Sequence, residues 1–328
     1  MLYLALMLIV IGAFWIRIFP IFFNYPVLKA FDPWIQYSAT EYILEHGFAA
    51  YFTYVDPMRW YPWGYKVYKL YCGLPFSATI FYLTFQLFGI HISVYESCVI
   101  FPAFMGAAAT FLMYFLGKII HNKKTGLLAA LFLAIVPAYV QRTVAGFFDN
   151  ETIGIFLIIL ILYCFIRSIK EDSSFMAFIA GLGVGGLMCS WGAWAYIVDL
   201  LPLAALVMVL MKKYSTRLLV SYTITIGVGI FIGSRIPTNG ALVITSFEVV
   251  VATGMIGVLF LFEAYNRLKK QAFLKERNIP WKKLIFSSMI LLLFGIIIVL
   301  TVLAFFQITI EDIIYLHRGE SIIITCIF

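Results

Sequence analysis

Three carboxylates and one arginine are the residues whose types and spacing suit chemistry. Asp149 and Glu151 form an Asp-Asn-Glu triplet between two apolar stretches, and Asp32 follows the first apolar stretch in Ala30-Phe31-Asp32-Pro33-Trp34. Arg142 lies two helical turns before Asp149, on the same face if one helix runs through both. Carboxylates at a low-dielectric boundary repel one another, and stay ionised together most easily with a cation between them. Oxygen-only ligands suit Mg²⁺ or Mn²⁺ rather than zinc. A guanidinium beside such an ion is a fitting receptor for phosphate. The plainer alternative makes the acids solvated loop residues favouring a helix N-terminus, and Arg142 a snorkelling interfacial side chain. Spacing alone favours that alternative; the arginine beside the acids shifts the balance toward a site.

The elements that must position these residues are membrane helices. The 328 residues are 63% hydrophobic and 12% charged, whereas soluble domains run near a quarter charged. Apolar segments fall at roughly 2–23, 74–90, 97–117, 125–141, 152–168, 175–190, 195–211, 218–236, 244–264 and 284–306. Backbone in lipid needs internal partners, and no barrel-like alternation is present, so the fold class is all-α and polytopic. The basic residues cluster in four linkers: Lys118, Lys123 and Lys124; Arg167 and Lys170; Lys212, Lys213 and Arg217; and Arg267 through Lys283. Placing all four on the cytoplasmic side leaves 24–96, 142–151, 191–194, 237–243 and everything after about 307 outside. That parity holds only if 74–90 does not span, so it reads as an interfacial or re-entrant helix. About nine spans result, with a large first external loop at 24–96, rich in Tyr and Trp, and a second at 142–151. The first apolar run lacks a basic leader and a cleavage site, and reads as a retained span.

The net charge of +7 is dispersed over short linkers, which excludes a nucleic-acid groove. The five cysteines, Cys72, Cys98, Cys164, Cys189 and Cys326, lack metal spacing and mostly sit in apolar runs, so they read as small buried side chains. Asp199 and Glu248 sit near external span ends, facing either a cavity or water. Asn150-Glu151-Thr152 is formally a sequon but overlaps the candidate site, and modification there is not expected. The chain reads as one domain, 1–328.

Several motifs in order resemble the catalytic subunit of oligosaccharyltransferase: Phe31 to Trp34, Arg59-Trp60-Tyr61-Pro62-Trp63-Gly64, Pro137 to Tyr139, Arg142 through Glu151, and Ser190-Trp191-Gly192. The Asp-Asn-Glu form is more similar to the archaeal and eukaryotic branches than to the bacterial one. The resemblance implies a GT-C type membrane domain that transfers an oligosaccharide from a polyprenyl (dolichol-type) phosphate or diphosphate carrier to the asparagine of Asn-X-Ser/Thr sequons. Asp32, Asp149 and Glu151 match the catalytic, metal-holding acids (Mn²⁺ or Mg²⁺), and Arg142 the arginine that contacts the donor phosphate. The partners implied are the lipid-linked donor, an acceptor polypeptide, membrane lipids and other oligosaccharyltransferase subunits. The site faces outward from a cell membrane or into the endoplasmic reticulum lumen. The family continues with a further acid-bearing external loop, more spans and a soluble domain carrying Trp-Trp-Asp-Tyr-Gly; none is read here, and Glu320 does not match that acid. The expectation is a truncated, frameshifted or split product. Another polyprenyl-phosphate-dependent GT-C enzyme is an alternative, although adjacent acids are usual there and Asp32 precedes a proline. A transporter would show mid-span charges and repeat symmetry, and neither is evident.

Overall fold

Polar residues in the linkers cap four of the described helices. The computed structural model describes residues 2–23, 27–238 and 241–270. In chain order its helices are α1 (Leu2–Ile18), α2 (Asp32–His46), α3 (Gly73–Leu87), α4 (Val94–Ile120), α5 (Lys123–Ile135) and α6 (Pro137–Thr143), then α7 (Glu151–Glu171), α8 (Ser174–Ser190), α9 (Trp194–Leu210), α10 (Thr216–Gly233) and α11 (Phe247–Lys270). Ser93 opens α4 with a reciprocal cap: its Oγ accepts from the Glu96 N–H at 3.1 Å, and Glu96 Oε2 accepts from the Ser93 N–H at 2.8 Å. Asn122, Ser173 and Ser215 cap α5, α8 and α10 through the N–H groups of Thr125, Met176 and Leu218. One departure from the all-helical expectation is a two-residue antiparallel ladder, β1 (Val55–Asp56) on β2 (Tyr65–Lys66), which closes a hairpin in the first loop.

The expected spanning segments within the described residues fall on helices; 284–306 lies outside the described residues, as do Lys275 to Lys283, Glu320 and Cys326. Leu2–Phe22, α4, α7, α10 and Phe247–Arg267 are each long and apolar enough to cross a bilayer. The segment expected at 125–141 is broken, α5 and α6 meeting at 61°. The α8 and α9 helices have 17 residues each, about 25 Å of rise, a little short of a ~30 Å hydrocarbon core. At 15 residues α3 is shorter still, and it packs on α2, α4 and α8.

Close helix approach depends on small residues. A Cβ on Gly229 of α10 would lie 2.4 Å from Val184 Cγ1 of α8, and one on Gly117 of α4 would lie 2.9 Å from Gly126 Cα of α5. Three of the basic linkers meet at one end of the bundle: Lys170 donates to the Ile119 carbonyl, and Arg217 pairs with Asp172 at 3.1 Å. The backbone divides into two compact units, Met1–Val243 and Ile244–Phe328. The described part of the second contains α11, where Arg267 pairs with Glu263 at 2.7 Å.

Candidate active site

Proline at position 137 sets the geometry at the end opposite the basic linkers. It has no N–H, so the Leu133 carbonyl loses its helical donor and the chain bends. Arg17, fully buried near the end of α1, supplies donors there instead. Its two terminal nitrogens reach the Ala134 carbonyl at 3.0 Å and the Leu133 carbonyl at 3.3 Å. Nε donates to Thr143 Oγ1 at 2.8 Å, and the guanidinium lies over the Tyr139 ring at 5.1 Å. Gly106 of α4 makes the room, since a Cβ there would stand 2.3 Å from Arg17 Nε. The charge rests against the negative end of the α5 dipole.

The short helix α6 then stops at Thr143, because Val144 is extended (φ −68°, ψ 147°). The continuous helix that would put Arg142 and Asp149 on one face does not form. Arg142 reaches the acids across the turn instead, 3.5 Å from Glu151 Oε1, with its guanidinium over the Phe147 ring at 5.1 Å.

Residues 144–150 are tied to three distant parts of the chain. The Ala145 N–H donates to the Arg17 carbonyl, the Gly146 N–H to the Val99 carbonyl, and the Lys29 N–H to the Gly146 carbonyl, each at 2.9 Å. Gly146 has φ +88°, and a Cβ there would sit 2.2 Å from the Val27 carbonyl oxygen. Only glycine fits. The segment before α2 is held further by the Leu28 N–H donating to Tyr95 Oη at 3.0 Å. It turns through Ala30, at φ +71°, and delivers Asp32 as the first residue of α2. Gln36 Nε2 on the next turn donates to Asn150 Oδ1 at 3.4 Å.

This stitching brings the acids into one electrostatic neighbourhood. Asp149 is half-buried and Asp32 exposed. Asp149 Oδ1 accepts from the Asn150 N–H at 2.7 Å. Burial first, then the nearby charges of Glu151 and Asp32, outweigh that bond and the pull of Arg142, and push the Asp149 carboxyl up to about 6. Glu151 opens α7, and its Oε2 is buried with no hydrogen-bond partner among the described residues. An orphaned carboxylate oxygen beside an acid crowded by like charge is a condition that a divalent cation relieves. Asp149 and Glu151 fit such an ion by this test, with Asp32 close by. Among the described residues no three His, Cys, Asp or Glu side chains stand close enough to hold one ion.

Motif reading missed Arg17 and Gln36, and included Gly146 in a motif without giving it a role. A signal for Arg17 was present, since it is the one charged residue in the first apolar run. Trp191 packs its ring on the second turn of α7, where a Cβ on Gly154 would lie 2.4 Å from Trp191 Cε3.

Comparison with known proteins gives a consistent picture. A family model described as oligosaccharyl transferase STT3, N-terminal, matches residues 1–321. The dolichyl-diphosphooligosaccharide–protein glycosyltransferase subunit stt3 of Schizosaccharomyces pombe is 32% identical over 268 residues, covering 81% of this chain and 36% of that protein. The archaeal oligosaccharyltransferase AglB of Archaeoglobus fulgidus, solved with an inhibitory peptide and a dolichol-phosphate, has a TM-score of 0.69 at 19% identity, over 92% of this chain and 37% of that one. A structure of the A. fulgidus enzyme with zinc and sulfate gives 0.70 at 21% identity, over 90% and 40%. The chain thus spans little more than a third of the length of such relatives.

Proposed function

The chain belongs to the oligosaccharyl transferase STT3 family, matching its N-terminal membrane part, and from that premise we propose that it carries the metal- and phosphate-binding half of an asparagine-glycosylating active site. The donor is an oligosaccharide on a dolichol-type phosphate or diphosphate, and the acceptor is the asparagine of an Asn-X-Ser/Thr sequon. One observation carries the reading: Asp32 and the Asp149-Asn150-Glu151 turn, remote in sequence, converge at one end of the bundle beside Arg142. The dolichol-phosphate and peptide bound by the archaeal relative support the substrate classes.

The reaction joins the amide nitrogen to the sugar as the sugar–phosphate C–O bond breaks, and the nitrogen gives up a proton. An amide nitrogen is a poor nucleophile because its lone pair is delocalised into the carbonyl. Asp32, exposed at the start of α2, accepts hydrogen bonds from the amide N–H groups, which loosens that conjugation and aims the nitrogen. Arg142, half-exposed, grips the departing phosphate and stabilises its charge. Asp149 and Glu151 would hold a Mn²⁺ or Mg²⁺ ion, which when bound stabilises negative charge on the leaving phosphate. The α7 N-terminus favours the same charge.

The proton on Asp149 provides the test. Its carboxyl is raised above the unfolded value of 3.8 to about 6, so ionising it costs stability; that cost is absent at low pH and complete above about 6. A proton therefore competes with the cation below that pH. Glycan transfer from a lipid-linked donor to an Asn-X-Thr peptide, assayed with the full-length protein, is expected to vanish with EDTA and return with Mn²⁺ or Mg²⁺. The Mn²⁺ concentration for half-activation should rise up to roughly tenfold per pH unit below about pH 6. Transfer indifferent to EDTA would remove the cation, and a half-activation point flat from about pH 5 to 7 would remove Asp149 as its ligand.

A further inference from the structure

Where the first loop enters α3, it lies against the end of α8. Gly73 touches Ser190 so closely that a Cβ on it would lie 2.0 Å from Ser190 Oγ and 2.9 Å from Ser190 Cα. The Trp194 indole N–H donates to the Tyr71 hydroxyl, which sits beside Gly192. Between these contacts the side chains of Cys72 and Cys189 hydrogen-bond each other. Both are free thiols, Cys72 buried and Cys189 half-buried. Cys98 is engaged elsewhere, with Thr40, and Cys164 lies beside Arg167 toward the C-terminal end of α7.

Position in the bundle decides what such a pair can do. The basic linkers that mark a cytoplasmic side lie between α4 and α5, α7 and α8, and α9 and α10. Cys189 is at the opposite end of α8, one residue before Ser190 closes it. The thiols therefore face the non-cytoplasmic compartment, where disulfides form and persist.

We propose that Cys72 and Cys189 form a disulfide that staples the first external loop to the outer end of α8. This rests on topology and contact and not on the transfer reaction. Forming the S–S bond releases two protons and two electrons from the thiols. Exchange with an oxidised disulfide of that compartment takes them, leaving a protein carrier as a dithiol or a low-molecular-weight disulfide as two thiols. Cys189, the more accessible of the two, exchanges with the carrier first, and the buried Cys72 then closes the bond by attacking the mixed disulfide. Trp191, two residues past Cys189, packs at Gly154 near the start of α7, so the staple secures the loop over the helix that Glu151 opens.

The test uses the full-length protein in its native membranes. Acid quenching, denaturation in N-ethylmaleimide and digestion without reductant precede mass spectrometry. The expected species is a Cys72 peptide joined to a Cys189 peptide, split by dithiothreitol, with neither cysteine alkylated. Both cysteines alkylated in most of the protein, or either joined to another cysteine, overturns the proposal. In Cys72→Ala the reagent should label Cys189 fully; a Cys189 still blocked there has a different partner, and the staple is rejected.

Discussion

Replacing Asp149 with asparagine in the full-length protein is expected to cut glycan transfer by about 10²–10³-fold while leaving the fold slightly more resistant to heat. The loss is of the size seen when one group stabilising charge in a transition state is removed. The gain has a separate cause. Asp149 is crowded by burial and by the charges of Glu151 and Asp32, so an uncharged isostere relieves repulsion that the cation-free protein otherwise carries. Glu151→Gln should behave alike, because the orphaned Oε2 becomes a neutral amide group. Asp32→Asn should lose transfer with little change in heat resistance, since this residue is exposed. Transfer and thermal inactivation temperature, measured on the same membranes, separate the outcomes. Wild-type transfer in all three variants would dissolve the site.

Arg17→Met should be the most damaging single change away from the acids. It leaves the Leu133 and Ala134 carbonyls at the α5 break without the donors they now have. An orphaned buried polar group costs about 1–3 kcal/mol, so for these two carbonyls a loss of roughly 2–6 kcal/mol is expected before any loss from Thr143. Arg17→Lys keeps the charge but cannot span Ala134, Leu133 and Thr143 with one ammonium group, so partial rescue should follow. Because the Arg17 carbonyl also accepts from Ala145, the acid-bearing turn should loosen with α6, and Mn²⁺ activation should require more metal. Unchanged heat resistance and metal requirement in Arg17→Met would show that the network is incidental.

How much of this was legible beforehand follows the range of the forces involved. Hydropathy is local, and a lipid-facing backbone has one cheap solution, so the spanning segments could be read from composition. The caps Asn122, Ser173 and Ser215 also act within one turn, although the sequence reading did not single them out. Residue type alone singled out Asp32, Arg142, Asp149 and Glu151 as candidates. Their convergence did not follow from spacing: the helix assumed to align Arg142 with Asp149 ends at Thr143, and the contact to Glu151 forms across a turn that Gly146 alone permits.

By itself the sequence determined a multi-span helical membrane protein with acids at the ends of apolar runs, because burial of nonpolar side chains and satisfaction of the backbone depend on neighbours along the chain. Tertiary structure alone decided that Arg17 bonds Thr143 across 126 positions, that Gln36 reaches Asn150, and that Cys72 meets Cys189. The reason is geometric. A hydrogen bond or thiol contact needs atoms placed within a few tenths of an ångström, and only the packing of whole helices supplies that placement.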